Sequence, residues 1–242
     1  MAQHDKEDQL TDLLKGVDIK GIVNGALQKG GAVAAPIDEA YVAQPKPYSQ
    51  VTEFVSQKTK DAHTSLYQKY VETLNRVSAE LDTASKSEAN SNHSDFRSLK
   101  LDETRLLNAV WLHELYFANC FDVHSECYMN SMAYIRLERD FGTFEDAQQD
   151  MMACALACGE GWMITAYNMF LKRYVNVMVT DNSHDVMLGL YPIIVIDMHA
   201  HAYFKDYLTD KKSYLVAMMR QLNWNVIEER FTKAESIAEV VK

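Results

Sequence analysis

The sequence contains no apolar run that approaches the roughly 18 residues needed to span a membrane, so we expect no membrane span. Glycine and proline are scarce, with 9 and 4 residues among 242, which argues against a fibrous or disordered chain. Basic residues are also in deficit: 24 lysines and arginines face 34 acidic residues, for a formal net charge of −10. This charge argues against nucleic-acid binding and against docking on anionic membranes.

Cysteine is rare as well, with four residues, and Cys154 and Cys158 are spaced i, i+4 in a segment typical of the apolar face of a helix. The first residues, MAQHDKEDQ, are acidic and polar and resemble neither a signal peptide nor an Arg-rich transit peptide. We therefore expect reduced, mostly buried thiols and a cytoplasmic or other reducing compartment.

Apolar periodicity in the first part of the chain predicts an extension and a helical hairpin. Residues 1–47 hold an amphipathic segment and then a Gly/Pro-containing linker, which we interpret as an arm that docks on this protein or on a partner. Residues 48–137 are predicted to form the hairpin domain. Its first helix extends from Tyr48 to about Glu80, and its second from about Leu101 to Cys120 or as far as Leu137.

The pattern changes in residues 138–242, which we predict to form an α/β domain. A helix ending at Gly159 precedes three short β-rich runs, WMITAYNMF, YVNVMVT and PIIVID, and a helical pattern closes the chain. A helical half followed by a small helix-flanked sheet is an α+β arrangement.

Three histidines and an aspartate stand out because of their surroundings. The apolar run PIIVID ends in Asp197, and His201 follows it by four residues. His63 and His113 each lie in one of the two predicted amphipathic helices. A lone histidine on such a helix face is usually a core residue, but three imidazoles and one carboxylate also suit iron, manganese or zinc. The residues alone leave both interpretations open.

Several segments together resemble one known family. The segment IDMHAHAYF, with NW and RF further on, resembles the carboxyl-terminal signature D-V-W-E-H-A-Y-Y, N-W and R-F of the iron/manganese superoxide dismutases. DFGTF and GEGW resemble its F-G-S and G-S-G-W segments, and NAVWLHELYFANC resembles its N-H-x-x-F-W stretch. PYSQVTEFVSQKTKDAH resembles its first helix, so the resemblance extends from about Pro47 to Phe231.

The resemblance implies a fold and an activity. The fold is α+β, a long helical hairpin followed by a helix-flanked three-stranded antiparallel sheet. The activity is the dismutation of superoxide to dioxygen and hydrogen peroxide, an antioxidant function, by one iron or manganese ion per chain. The family's metal ligands fall on His63, His113, Asp197 and His201.

Roles around the metal also follow from the resemblance. Tyr70 is expected at the entrance, where it orients water for proton delivery. Its spacing from His63 is one residue shorter than in the family, which predicts a regular helix without a π-bulge. The iron-type position for the residue that hydrogen-bonds the metal-bound solvent is Ala109, which lacks a polar side chain. His184, in the loop before the last strand, is predicted to take that role, with a surface loop histidine as the alternative.

Positions that shape the family's substrate gate and link two subunits have changed. Leu66 stands in the place of part of a K-H-H segment, His199 replaces a tryptophan, Ala200 a glutamate and Phe204 a tyrosine. His199 is either a replacement for the tryptophan or an additional polar residue facing a partner. The changes support a competing hypothesis, a structural or interaction subunit with weak or no activity. We expect a homo-oligomer, or a larger assembly formed through residues 1–47.

Overall fold

A helical hairpin begins the part of the chain that the computed structural model describes, which comprises residues 53–120, 125–182, 186 and 188–240. Helix α1 covers Gln57–Thr83 and helix α2 covers Asp95–Asn119. A serine hydroxyl caps each amino terminus: Ser56 accepts from the Thr59 amide and Ser94 from the Arg97 amide. Such caps satisfy amides that have no partner within the helix. The predicted hairpin is therefore present; the extension, residues 1–47, lies outside the described residues.

The helix boundaries differ from the prediction at three points. Helix α1 begins at Gln57, so residues 53–56 are not helical although the predicted helix included them. Helix α2 begins at Asp95 rather than near Leu101, because Ser94 provides the cap. It does not continue to Leu137. A separate helix, α3, covers Met132–Phe141 and begins at its own serine cap.

Three antiparallel strands form the sheet of the described residues, as predicted. Strand β1 covers Gly161–Asn168, β2 covers Arg173–Thr180 and β3 covers Leu190–Asp197, in the order β2-β1-β3. The central strand β1 is buried along its whole length. Its register places Trp162 opposite Asp197 of β3 and Val179 of β2. The first residues of β1 therefore lie beside the polar end of β3.

Among the described residues, no strand pairs with the outer edge of β3, and buried polar side chains hydrogen-bond to its carbonyls instead. Unpaired carbonyls on such an edge need donors. The carbonyls of Ile193, Val195 and Asp197 accept hydrogen bonds from Arg230 Nη1 (2.8 Å), Asn119 Nδ2 (2.8 Å) and the Tyr214 hydroxyl (2.9 Å), respectively. These bonds fix the end of β3 on the surrounding helices.

Four more helices complete the described part of the chain. Helix α4 covers Phe144–Ala157, α5 covers Ala200–Tyr207, α6 covers Lys211–Met219 and α7 covers Trp224–Val240. Helix α5 packs against α1, and α2 packs against β3. Among the described helices, none combines the length and apolar character that a membrane crossing requires. The predicted α+β class is confirmed.

Candidate metal centre

Four side chains converge where the hairpin meets the end of β3. They come from α1, α2, the last residue of β3 and the first turn of α5, and we call them the ligand set: His63, His113, Asp197 and His201. One nitrogen or oxygen from each lies within 4.8 Å of the corresponding atoms of the other three. The first three are buried and His201 is partly buried. The structure thus brings together the residues that the sequence analysis singled out as ligands.

One carboxylate oxygen stands at the middle of the ligand set. Asp197 Oδ2 lies 3.1 Å from His63 Nε2, 3.0 Å from His201 Nε2 and 3.9 Å from His113 Nε2. Within the described part of the chain, the buried Nε2 atoms of His63 and His113 have no hydrogen-bond partner. Buried polar atoms without partners are rare, because leaving them unsatisfied costs free energy. These convergent donors fit a metal cation, which would satisfy them.

The tautomer of His113 is fixed by its own helix. Its Nδ1 lies 2.6 Å from the carbonyl oxygen of Ala109. Because a carbonyl only accepts, Nδ1 carries the proton and Nε2 keeps its lone pair. A backbone carbonyl in this position also holds the ring in place, as outer hydrogen bonds commonly do for metal-binding histidines.

The protonation states of the ligand set suit a cation. Burial lowers the pKa of His63 despite the nearby Asp197 carboxylate, and it lowers the pKa of His113 to about 3. Burial alone would raise the pKa of Asp197. The charge of His201, the hydrogen bonds from His199 and His201, and the nearby His63 ring outweigh that effect and hold the Asp197 pKa well below its ordinary value. The site therefore presents neutral His63 and His113 rings and an ionised Asp197 carboxylate near neutral pH.

Acid should destabilise the metal-free protein through these buried rings. We expect the free energy of unfolding to fall by roughly 2–3 kcal/mol between pH 7 and pH 4 through His113 alone. The unfolded chain takes up a proton near the ordinary histidine pKa of 6.5, whereas the folded ring resists protonation until about pH 3. The stabilisation that His113 contributes is complete above its pKa in the unfolded chain. It is lost as the pH falls toward its pKa in the folded protein. Denaturant unfolding at a series of pH values measures the slope.

A matched variant identifies the source of that slope. His113→Gln cannot titrate and should show a shallower pH dependence over the same range. Equal slopes for the two proteins would contradict the assignment to His113.

The buried Asn182 lies between Tyr70, at the expected entrance of the metal site, and Trp162 on strand β1. The Tyr70 ring lies 5.3 Å from the His113 ring and is partly buried. Burial raises the pKa of Tyr70, while Arg105 and a hydrogen bond from the Asn182 side chain oppose that rise. Asn182 Oδ1 also accepts from Trp162 Nε1 at 2.8 Å. The Asn182 carboxamide thus lies between Tyr70 and Trp162.

The sequence analysis missed Asn182. The side chain predicted to make this hydrogen bond from the loop before β3 was that of His184, two residues beyond Asn182. His184 lies outside the described residues, and its role stays a prediction. The residue type at 182 was visible in the sequence; that its amide reaches Trp162 and Tyr70 depends on how the chain leaves β2.

His199 lies inside the site, against the ligand set. Its Nδ1 is 2.7 Å and its backbone nitrogen 2.9 Å from Asp197 Oδ1. The ring stacks on His201 at 5.0 Å and meets the edge of Trp162 at 5.4 Å. Burial tends to lower the pKa of His199, but the hydrogen bond to Asp197 and the charge of that carboxylate outweigh it and raise the pKa. His199 therefore lines the site, as its replacement of a tryptophan implies, and adds a ring hydrogen bond that the sequence analysis did not anticipate.

The other changed positions have structural partners or open surroundings. Helix α1 is a continuous α-helix past His63, so the predicted loss of the π-bulge is confirmed. The backbone amide of Ala200 donates to Glu160 Oε2 at 2.9 Å, which caps α5. Phe204 is half exposed, and Leu66 is partly buried.

Comparison with known proteins gives a consistent set of similarities. Residues 130–230 match the family model described as iron/manganese superoxide dismutases, C-terminal domain. A superoxide dismutase designated as an iron protein, from Aquifex aeolicus strain VF5, is 33% identical over 82% of this chain and 95% of that relative. A second iron-designated superoxide dismutase, from Aquifex pyrophilus, is 34% identical over 73% of this chain and 83% of its own length. A manganese-designated one from Mycobacterium lepraemurium is 27% identical over 72% of this chain and 83% of its own length.

Proposed function

The chain belongs to the iron/manganese superoxide dismutase family, and from this premise we propose that it converts superoxide to dioxygen and hydrogen peroxide. The ligand set would hold one iron or manganese ion per chain. The observation that carries the proposal is the convergence of three buried or partly buried imidazoles on Asp197 Oδ2. A family member that served only a structural role would gain no stability from buried imidazole nitrogens without hydrogen-bond partners.

The bound ion, when present, supplies alternate electron acceptance and donation to successive superoxide molecules. The protein's own groups do the rest. Asp197 contributes the negative charge that offsets the cation, and neutral imidazoles leave lone pairs for it. Burial of His63 and His113 keeps bulk water away from these donors.

Tyr70 and Asn182 are the groups we propose for proton delivery. Tyr70 lies beside His113 and close enough to the Asn182 side chain for that group to lower its pKa. Asn182 is itself held by Trp162. A carboxamide held from two sides can orient a water molecule between the entrance and the site.

Arg105 is the basic group we expect to attract the anionic substrate. Among the charged groups, Arg105 has the largest effect on the pKa of Tyr70. Its Nε atom lies 3.6 Å from Asp181 Oδ2. On a chain of net charge −10, local positive charge at the entrance raises the encounter rate of an anion. Arg105→Gln should therefore lower kcat/KM by about 3- to 10-fold at low ionic strength, and salt should reduce the difference.

The matched control for Arg105 is Arg76→Gln, which makes the same change in net charge on the exposed side of α1. Arg76→Gln should leave kcat/KM close to wild type. A loss of the same size in both variants would assign the effect to net charge and contradict a local role for Arg105.

Two further parts of the proposal concern the assembly of the chain and its cellular compartment. We propose that the chain forms a homo-oligomer or enters a larger assembly through residues 1–47. A reducing compartment such as the cytoplasm would keep its cysteines as thiols. Size measurement of the full chain, compared with a chain beginning at Tyr48, tests the role of the arm.

The test of the function uses the full chain with its metal. The purified protein is loaded separately with iron and manganese, the metal content is measured, and superoxide decay is followed. We expect one ion per chain and rapid decay for at least one metal, with His201→Ala inactive. A folded wild-type protein that takes up stoichiometric iron or manganese but does not accelerate superoxide decay would refute the proposed function. A folded protein that retains neither metal would support the structural-subunit hypothesis.

A further inference from the structure

The two oxygens of the Asp197 carboxylate have different surroundings. Oδ2 faces the imidazole nitrogens of the ligand set. Oδ1 faces away from them and takes two hydrogen bonds from one residue, His199: 2.9 Å from its backbone nitrogen and 2.7 Å from ring Nδ1. The carboxylate is therefore fixed in rotation, with one oxygen directed to the site and the other bound to His199.

The direction of the ring hydrogen bond follows from its partner. Asp197 is ionised, and an ionised carboxylate oxygen can only accept. Nδ1 of His199 therefore carries a proton and donates it. The ring is held in this orientation by its packing on His201 at 5.0 Å and on Trp162 at 5.4 Å. Its side chain is only 12% exposed.

Resting on the proposed function for the nature of the ion, we propose that His199 is a positioning residue that acts on the metal through Asp197. Its Nδ1–H donor holds the carboxylate in its binding orientation and withdraws electron density from it. The first effect tightens metal binding. The second makes Asp197 a weaker donor, which disfavours the more oxidised ion and raises the reduction potential of the site.

The side chains of asparagine and leucine allow a direct test. In His199→Asn the amide nitrogen takes the position of Nδ1 and can still donate to Asp197 Oδ1. His199→Leu has nearly the shape of asparagine and has no donor. Both variants lose the ring and its stacking on His201 and Trp162, so their difference reports the hydrogen bond alone.

Two readouts are independent of turnover. Metal-free protein is titrated with Co²⁺ against a chelator, and the visible ligand-field bands report the geometry around the ion. The reduction potential of the iron-loaded protein is measured by redox titration. We expect His199→Asn to stay close to wild type in both. His199→Leu should lose about 10- to 100-fold in Co²⁺ affinity, the usual cost of removing an outer hydrogen bond, and should have a lower reduction potential.

Equal affinities and equal potentials for the asparagine and leucine variants would overturn the proposal, because the donor would then have no effect. If His199→Leu does not fold, His199→Gln replaces it, since glutamine moves its amide to the position of Nε2, away from Oδ1. The outcome is separate from that of the proposed function. A wild-type protein whose Co²⁺ binding depends on the donor but which does not accelerate superoxide decay would retain this inference and lose that function.

Discussion

Replacing Asp197 with asparagine should remove metal retention and dismutase activity together. Asp197 is the one carboxylate in the ligand set, and its Oδ2 lies within 4 Å of all three imidazole Nε2 atoms. The substitution removes the charge that offsets the cation and leaves one neutral oxygen. Because changes to outer hydrogen bonds alone cost about 10- to 100-fold in metal affinity, we expect the loss of a ligand charge to cost at least about 100-fold. Metal content after dialysis and superoxide decay measure the two effects.

The control for Asp197→Asn is Asp150→Asn. Asp150 is exposed and accepts a hydrogen bond from Asn176 on β2, away from the ligand set. The Asp150→Asn variant should retain metal and activity. If the Asp197→Asn variant keeps its metal and full activity, Asp197 is not a required ligand and the ligand assignment is refuted.

Gly161→Ala should be the most destabilising glycine-to-alanine change in the described part of the chain. Gly161 begins β1 at φ +151°, and a Cβ there would lie 2.1 Å from the backbone carbonyl oxygen of Val179. That atom belongs to the paired strand β2, so the backbone itself must move. We expect a loss of about 3 kcal/mol or more in the free energy of unfolding, because overpacking and backbone strain add.

The same substitution should also reduce activity in the fraction that folds. Trp162 follows Gly161, pairs with Asp197 across the sheet and holds the Asn182 amide. A shift at the start of β1 should therefore displace Trp162 and, through its pairing with Asp197, disturb the ligand set. Denaturant unfolding and the metal-loaded activity per folded molecule are the measurements.

Gly159→Ala provides the comparison for Gly161→Ala. Gly159 also has positive φ, +72°, but its Cβ would meet no atom within 4 Å. It should cost about 1 kcal/mol, the ordinary penalty for a side chain in the left-handed region. Similar losses at the two positions would show that backbone conformation, and not the contact with Val179, decides the effect at Gly161.

The helices and strands were largely predictable because their signals are local. Alternating and continuous apolar runs in residues 162–197 gave three strands close to those observed. The start of α2 was not predicted, because Ser94 looks like any loop serine until its hydroxyl is seen on the Arg97 amide. Caps depend on the conformation of one residue, which apolar periodicity does not report.

The sequence by itself determined the α+β class and the residues able to bind a metal, since residue type and spacing carry that information. Only the tertiary structure decided the surroundings of those residues: the hydrogen bonds of His199 to Asp197 and the position of Asn182 between Tyr70 and Trp162. Chemistry that belongs to a side chain is present in the unfolded chain. The direction in which a carboxylate or an amide points exists only after distant segments pack together.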